Sequence, residues 1–147
     1  IQAYGAGADE ALMLDPHGFV ATCNSTHFFI VRKGEVWTST GQYCLGGITR
    51  ANVITICRDN GIPVFEKSFS LTDVYGADEA FITGTFGAQT PVAEIDGRKD
   101  ISLYWHSLGL MARRRARSSS TIYSKFCLEA LDLVLDGRVG VGRVPMA

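Results

Sequence analysis

His27-Phe28-Phe29-Ile30-Val31-Arg32-Lys33-Gly34-Glu35-Val36-Trp37-Thr38-Ser39 reads as a strand, a tight turn and a returning strand. β-Branched and aromatic residues fill both arms, and Lys33-Gly34-Glu35 is where the chain reverses. Upstream, Glu10-Ala11-Leu12-Met13-Leu14-Asp15 and Phe19-Val20-Ala21-Thr22-Cys23 read as another pair of strands. Asp15-Pro16-His17-Gly18 joins them, with Pro at the second turn position and Gly at the fourth. The four segments predict one β-meander. Downstream, residues 48–60 predict a helix with an apolar stripe of Val53, Ile54, Ile56 and Cys57. Thr49 is its predicted N-cap and Asn60-Gly61 its stop. Pro63 to Phe69, Glu79 to Thr83 and Pro91 to Ile95 read as further strands, and Asp96-Gly97 as a turn. A short helix capped by Ser70 or Thr72 falls between the first two of these strands. Strands interleaved with helices predict a mixed α/β fold.

Two stretches carry the chemistry. Leu45-Gly46-Gly47-Ile48-Thr49-Arg50 opens the longer helix, and Thr83-Gly84-Thr85-Phe86 closes a strand. Each offers backbone N–H groups loosened by glycine beside a threonine hydroxyl. Helix N-termini leave N–H donors unpaired and carry partial positive charge, so an anion is stabilised there without a lysine or arginine. Two such sites predict a ligand with two anionic ends, or a phosphorylated cofactor with its substrate. On local sequence alone Thr49 reads as a plain helix cap and Thr85 as a turn residue.

Composition sets the bounds. The chain has 147 residues, the size of one domain, and 46% hydrophobic with 20% charged residues is enough for a soluble core. No apolar run approaches the ~20 residues of a membrane span. Cys23, Cys44, Cys57 and Cys127 form no Cys-x-x-Cys and do not cluster with His17, His27 or His106. That spacing predicts no metal site and no disulfide framework, only reduced thiols in a cytoplasmic protein. His17 is expected to be exposed in its turn, and His27 to be a packed strand residue. No Gly-x-Ser-x-Gly of a hydrolase is present. The chain starts Ile-Gln-Ala, shows no signal peptide, and is expected to be a piece of a longer protein.

Charge is unevenly placed. Residues 1–97 hold five basic and eleven acidic side chains; residues 98–147 hold nine basic and four acidic. Arg113 to Ser120 is low in complexity and predicted disordered, Thr121 to Leu135 is predicted helical, and the Gly, Val and Arg of the C-terminus predict no element. The arginine run has no interleaved aromatics, so a nucleic-acid partner is not expected.

Four motifs line up in order: Ala8-Asp9-Glu10-Ala11-Leu12-Met13-Leu14-Asp15, Cys23-Asn24-Ser25-Thr26-His27-Phe28-Phe29, Gly47-Ile48-Thr49-Arg50, and Tyr75-Gly76-Ala77-Asp78-Glu79-Ala80-Phe81-Ile82-Thr83-Gly84-Thr85. With them, residues 7 to 98 resemble the C-terminal domain of class IV aminotransferases, the fold-type IV pyridoxal-phosphate enzymes, and among these the branched-chain amino-acid aminotransferases. The resemblance implies a curved or barrel-like sheet with helices packed outside. It makes residues 1–97 most of that domain and leaves 98–147 as an atypical tail, disordered or frame-shifted. It implies pyridoxal 5′-phosphate as cofactor, amino-acid and 2-oxo-acid substrates, and a homodimeric parent. That parent would move an amino group from a branched-chain amino acid to 2-oxoglutarate. D-amino-acid aminotransferases and aminodeoxychorismate lyases share the fold and cofactor and remain alternatives, as does a non-catalytic binding fragment.

Roles follow for named positions. Leu45, Gly47, Ile48 and Thr49 would hold the cofactor phosphate, chiefly through the N–H groups of Ile48 and Thr49 and the Thr49 hydroxyl. Thr85 would add its hydroxyl, and the backbone of Thr85 and Phe86 would meet the substrate carboxylate. The resemblance implies a cofactor-bonding lysine upstream of the Asp9-Glu10 segment, which the family spacing places before Ile1; neither Lys33 nor Lys67 sits in a matching context. No catalytic residue is therefore assigned, and the chain is expected to be inactive alone. Thr22 stands where many members have a glutamate on the pyridine nitrogen. A threonine hydroxyl there would favour the neutral nitrogen, or else be a satisfied strand hydroxyl. Trp37 and Tyr43 are expected in the core rather than a pocket.

Overall fold

The computed structural model describes residues 2–84, 88–99 and 142–144. In chain order the elements are α1 (Gln2–Gly5), β1 (Leu12–Leu14), β2 (Val20–Cys23), β3 (His27–Arg32), β4 (Glu35–Thr38), α2 (Ile48–Asp59), β5 (Val64–Glu66), α3 (Leu71–Tyr75), β6 (Glu79–Gly84), β7 (Ala88–Ile95), β8 (Arg98–Lys99) and β9 (Gly142–Val144). The predicted helix 121–135 and the arginine run lie outside the described residues, as do Cys127 and His106.

The predicted meander divides into two sheets. β1 and β2 pair antiparallel as a separate two-stranded sheet, while β3 and β4 belong to a larger sheet ordered β5-β4-β3-β6-β7-β8. The break is Asn24-Ser25-Thr26. There the Cys23 N–H donates to the Thr26 carbonyl and the Asn24 N–H to the Ala11 carbonyl, so the backbone turns instead of continuing the ladder. β3 and β4 form a hairpin with Arg32 opposite Glu35. Lys33 (φ 51°) and Gly34 (φ 79°) are both left-handed, the geometry that matches the twist of the flanking strands. The large sheet stays open among the described residues, with β5 at one edge and β8 at the other, so the barrel-like part of the expectation does not hold. β5 has three residues and pairs only with β4, in parallel, which leaves it nothing to close with. The C-terminal segment read as structureless is also corrected. Gly142–Val144 adds in parallel to β7, whose backbone groups select it whatever its own pattern.

Both faces of the large sheet are covered, so β3 is an unbroken apolar run rather than an alternating one. Phe29, Val31, Val36 and Phe81 face α2 and pack on Val53, Ile54 and Cys57. The rings of Phe29 and Phe81 stack at 4.9 Å across the β3–β6 ladder. On the other face Phe28, Ile30, Ala80 and Val92 meet Leu12, Val20 and Cys23 of the small sheet, with Phe69 and Val74. Trp37 is half-buried in this layer, edge-on to Phe69 at 6.4 Å with Lys67 Nζ 3.5 Å from its ring. α3 starts at a capping box: Ser70 Oγ accepts from the Asp73 N–H and Asp73 accepts from the Ser70 N–H. The Ser70 backbone, together with the Arg32 guanidinium at 2.6 Å, holds the Asp73 carboxyl below its ordinary range.

One buried carboxyl makes stability depend on pH. Glu79, opposite Val31 in the sheet, is 4% exposed and its Oε2 has no hydrogen-bond partner among the described residues. Burial, with the Asp78 charge second, pushes it from the ordinary 4.5 up to about 7. Between those values the folded chain keeps a proton that the unfolded chain has lost, so stability falls as pH rises through the window and does not recover above it. Glu79→Gln removes that slope. At pH 8 the variant is expected to be more stable by about 2 kcal/mol, short of the full conversion because a charged Glu79 draws in water. Urea titrations of both proteins at about pH 5 and pH 8 check the sign.

Candidate functional site

α2 begins with no side-chain cap. Gly47 is the N-cap and makes no side-chain hydrogen bond, because it has none to make. Thr49 is the second helical residue, so the prediction that it caps the helix is corrected and its hydroxyl is not spent on its own helix start. The first-turn N–H groups thus stay open to an external anion. Ile48 is 66% and Leu45 86% exposed, so neither side chain seals that end.

A cavity of about 440 Å³ reaches Leu45, two residues before this N-cap. Its walls come from Thr22 and Cys23 of β2, Asn24 to His27, Met13 of β1, and the Gln42–Leu45 loop. Thr22 and Leu45 are thus on the cavity wall, and Gly47 meets it through His27. The imidazole Nε2 of His27 lies 2.7 Å from the Leu45 carbonyl oxygen, and a Cβ added to Gly47 would stand 2.3 Å from His27 Cε1. Only glycine lets the loop pass this close to the ring. His27 is a packed strand residue, as expected: it opens β3, and its ring packs on Gly47 at the helix start. Tyr43, by contrast, is corrected: it is 44% exposed and lines the cavity.

The second stretch arrives beside the same wall. A Cβ on Gly84 would sit 3.0 Å from the Thr26 methyl carbon. Thr83 pairs in register with His27, and its buried hydroxyl has no partner among the described residues. Thr85 and Phe86, assigned by sequence to phosphate and carboxylate, lie outside the described residues.

The wall at residues 24–26 hangs on one carboxylate that sequence reasoning passed over. Glu10 is 6% exposed and accepts from the Ser25 N–H at 2.8 Å, the Thr26 hydroxyl at 2.6 Å and the Ser25 hydroxyl. Asn24 Oδ1 accepts from the Ala11 N–H at 2.6 Å and closes the same turn. The signal was present: a carboxylate heading an apolar strand, and three consecutive polar side chains after its partner strand. Thr22 donates its hydroxyl proton to the Thr26 carbonyl at 2.9 Å. What it offers the cavity is a lone pair, so any group held there must donate. This is the satisfied strand hydroxyl, the second of the two expectations for Thr22.

Burial, reinforced by Glu10, pushes the Cys23 thiol far up, and burial raises Cys57 to about 11, so both stay protonated and unreactive. Among the described residues no group of His, Cys, Asp and Glu is gathered as a metal site. Lys33 and Lys67 do not line the cavity. The wall hydroxyls of Thr22, Ser25 and Thr26 have their protons engaged, so the open donors near this space are the first-turn N–H groups of α2.

Residues 1–95 match the model of the amino-transferase class IV family. The chain is 45% identical over 98 residues to a branched-chain-amino-acid aminotransferase of Pseudomonas aeruginosa, covering 67% of this chain and 32% of that one. It is 43% identical over 79 residues to a D-alanine aminotransferase of Listeria monocytogenes, covering 53% and 27%. A crystal structure of a branched-chain amino acid aminotransferase of T.th., complexed with N-(5′-phosphopyridoxyl)-L-glutamate, superposes with a TM-score of 0.66 at 33% identity, covering 94% of this chain and 42% of the other. The chain spans about a third of the length of these curated relatives.

Proposed function

The chain belongs to the class IV aminotransferases, and from that premise we propose that it supplies the phosphate cradle and one wall of a pyridoxal 5′-phosphate site in a branched-chain amino-acid aminotransferase. The observation that carries this reading is the uncapped start of α2 beside the 440 Å³ cavity. When bound, the cofactor supplies an electron-withdrawing ring that stabilises negative charge on a substrate carbon. This chain's residues do the holding. The N–H groups of Ile48 and Thr49 and the Thr49 hydroxyl receive the phosphate, with Thr85 as a further donor. Thr22 accepts from a protonated ring nitrogen, since its own proton is engaged by Thr26. Thr85 and Phe86 offer backbone donors to a substrate carboxylate. The amino donor is a branched-chain amino acid and the acceptor 2-oxoglutarate; the parent is a homodimer.

The D-alanine aminotransferase likeness is the competing reading, over a shorter stretch than the branched-chain one. Leucine, isoleucine, valine and D-alanine assayed against 2-oxoglutarate with the parent protein separate the two, and a preference for D-alanine sinks the branched-chain reading. The cradle has its own test. The chain should bind pyridoxamine 5′-phosphate at least about tenfold more tightly than pyridoxamine, and Thr49→Val should lose about 1 kcal/mol for the phosphate ester only. Fluorescence of the ligand reads both, and equal affinity for the two ligands would refute the cradle.

A further inference from the structure

We propose that His27 is a positioning residue: it fixes the Leu45–Gly47 loop so that the open N–H groups of α2 are aimed before any phosphate arrives. The inference rests on the cradle reading above and concerns what holds the cradle in shape.

The side chains of residues 45–48 do little to hold that stretch. Leu45 and Ile48 are exposed, so burial of their side chains contributes nothing to its placement. Nothing lies within 4 Å of where a Gly46 Cβ would be. α2 itself is anchored by Arg50, which bonds Ser39 and Glu66, and further along by Val53, Ile54 and Cys57 on the sheet, none of which reaches Gly46. The two glycines give the loop the largest backbone freedom a sequence can give. Against that stand the two contacts of His27. The Leu45 oxygen is a carbonyl and accepts, so His27 Nε2 donates. The ring edge lies against Gly47, where a Cβ would meet Cε1 at 2.3 Å and Nδ1 at 2.8 Å. The hydrogen bond fixes where Leu45 sits, and the ring fixes how near Gly47 can come. His27 is itself set by the β3–β6 ladder opposite Thr83, so the loop inherits the rigidity of the sheet. Ordering the loop in the free protein removes a cost that binding would otherwise carry.

The pair makes a specific demand on mutants. Gly47→Ala drives a methyl into the ring and should weaken pyridoxamine 5′-phosphate about tenfold or more. His27→Ala removes the bond and should weaken it by a similar factor. The double variant, with the ring gone, has space for the methyl and should be no weaker than His27→Ala alone, far from the product of the two losses. His27→Gln, which keeps an N–H donor, should stay within about threefold of the parent chain. Binding is measured by ligand fluorescence on the full 147-residue chain. Pyridoxamine 5′-phosphate is used because it has no aldehyde to react with lysines, and pyridoxamine is the control lacking the phosphate. Independent, multiplying losses in the double variant would overturn the inference, as would His27→Ala matching the parent chain. Should Gly47→Ala fail to fold, the His27→Ala and His27→Gln pair decides, and equal affinities there overturn it. If the unmutated chain does not distinguish the two ligands, the cradle reading itself is at fault, and the result is separable from a failure of His27 alone.

Discussion

Replacing Glu10 by alanine lowers stability by about 3 kcal/mol or more and removes pyridoxamine 5′-phosphate binding with it. The carboxylate is buried and accepts from the Ser25 N–H, the Ser25 hydroxyl and the Thr26 hydroxyl. Hydrogen bonds to a charged acceptor are worth roughly 1.5–3 kcal/mol each; exposed Ser25 regains water when they go, while the half-buried Thr26 hydroxyl does so less readily. The damage does not stay local. Thr26 presents its carbonyl to Thr22 and Cys23 and its methyl to Gly84, so its orientation sets the cavity wall and the approach of the second loop. Glu10→Gln keeps the shape but turns one acceptor into a donor facing other donors. It should fall between the parent chain and Glu10→Ala. Urea denaturation gives the stability order, and ligand fluorescence without denaturant, at a temperature well below the transition, gives the binding. An alanine variant with parent-like stability would show that the three bonds are replaced by water at no cost.

The elements legible in the sequence are those whose signal is local. The β3–β4 hairpin, α2, the Ser70-capped α3 and the strand before Gly84 are readable because turn residues and apolar runs act within a few positions. Their pairing is not. Nothing in 10–39 says that the first two strands leave the meander; that is decided by Asn24 and Glu10 tying residues 24–26 back to residues 10 and 11. The open sheet escapes sequence reading for a related reason, since closure depends on the length and partners of β5 rather than on its composition. At the site, the start of α2 beside Gly47 is readable because a helix N-terminus has a fixed chemistry. The role of His27 is hidden. A histidine before two phenylalanines reads only as a packed strand residue, and only the fold brings it 2.7 Å from a carbonyl eighteen positions on.

Arg50→Met is the second large effect, about 2–3 kcal/mol of stability lost, and it separates two ways of shaping the cradle. Arg50 projects from the first turn of α2 and is 8% exposed. Its Nη2 donates to the Ser39 carbonyl at 2.7 Å and to Glu66 Oε2 at 2.9 Å, while Arg58 reaches Glu66 Oε1 at 3.2 Å. The Ser39 contact matters most, because Ser39 leads into the loop that carries Gln42 to Leu45 along the cavity. The loop is thus tethered at both ends, to Arg50 at Ser39 and to His27 at Leu45. Glu66 is half-exposed and regains water when its partner goes, so breaking this pair costs less than stranding a fully buried charge. Arg50 Nε is buried without a partner among the described residues, and its removal offsets part of the loss. Both bonds come from Nη2, and a lysine ammonium ends short of that position, so Arg50→Lys keeps the charge but should recover less than half of the deficit. Since His27 still holds Leu45, phosphate affinity in Arg50→Met should fall by about tenfold at most at a temperature where the variant remains folded. Complete loss of binding in a variant shown folded by circular dichroism would mean that the Ser39 tether, rather than His27, sets the cradle.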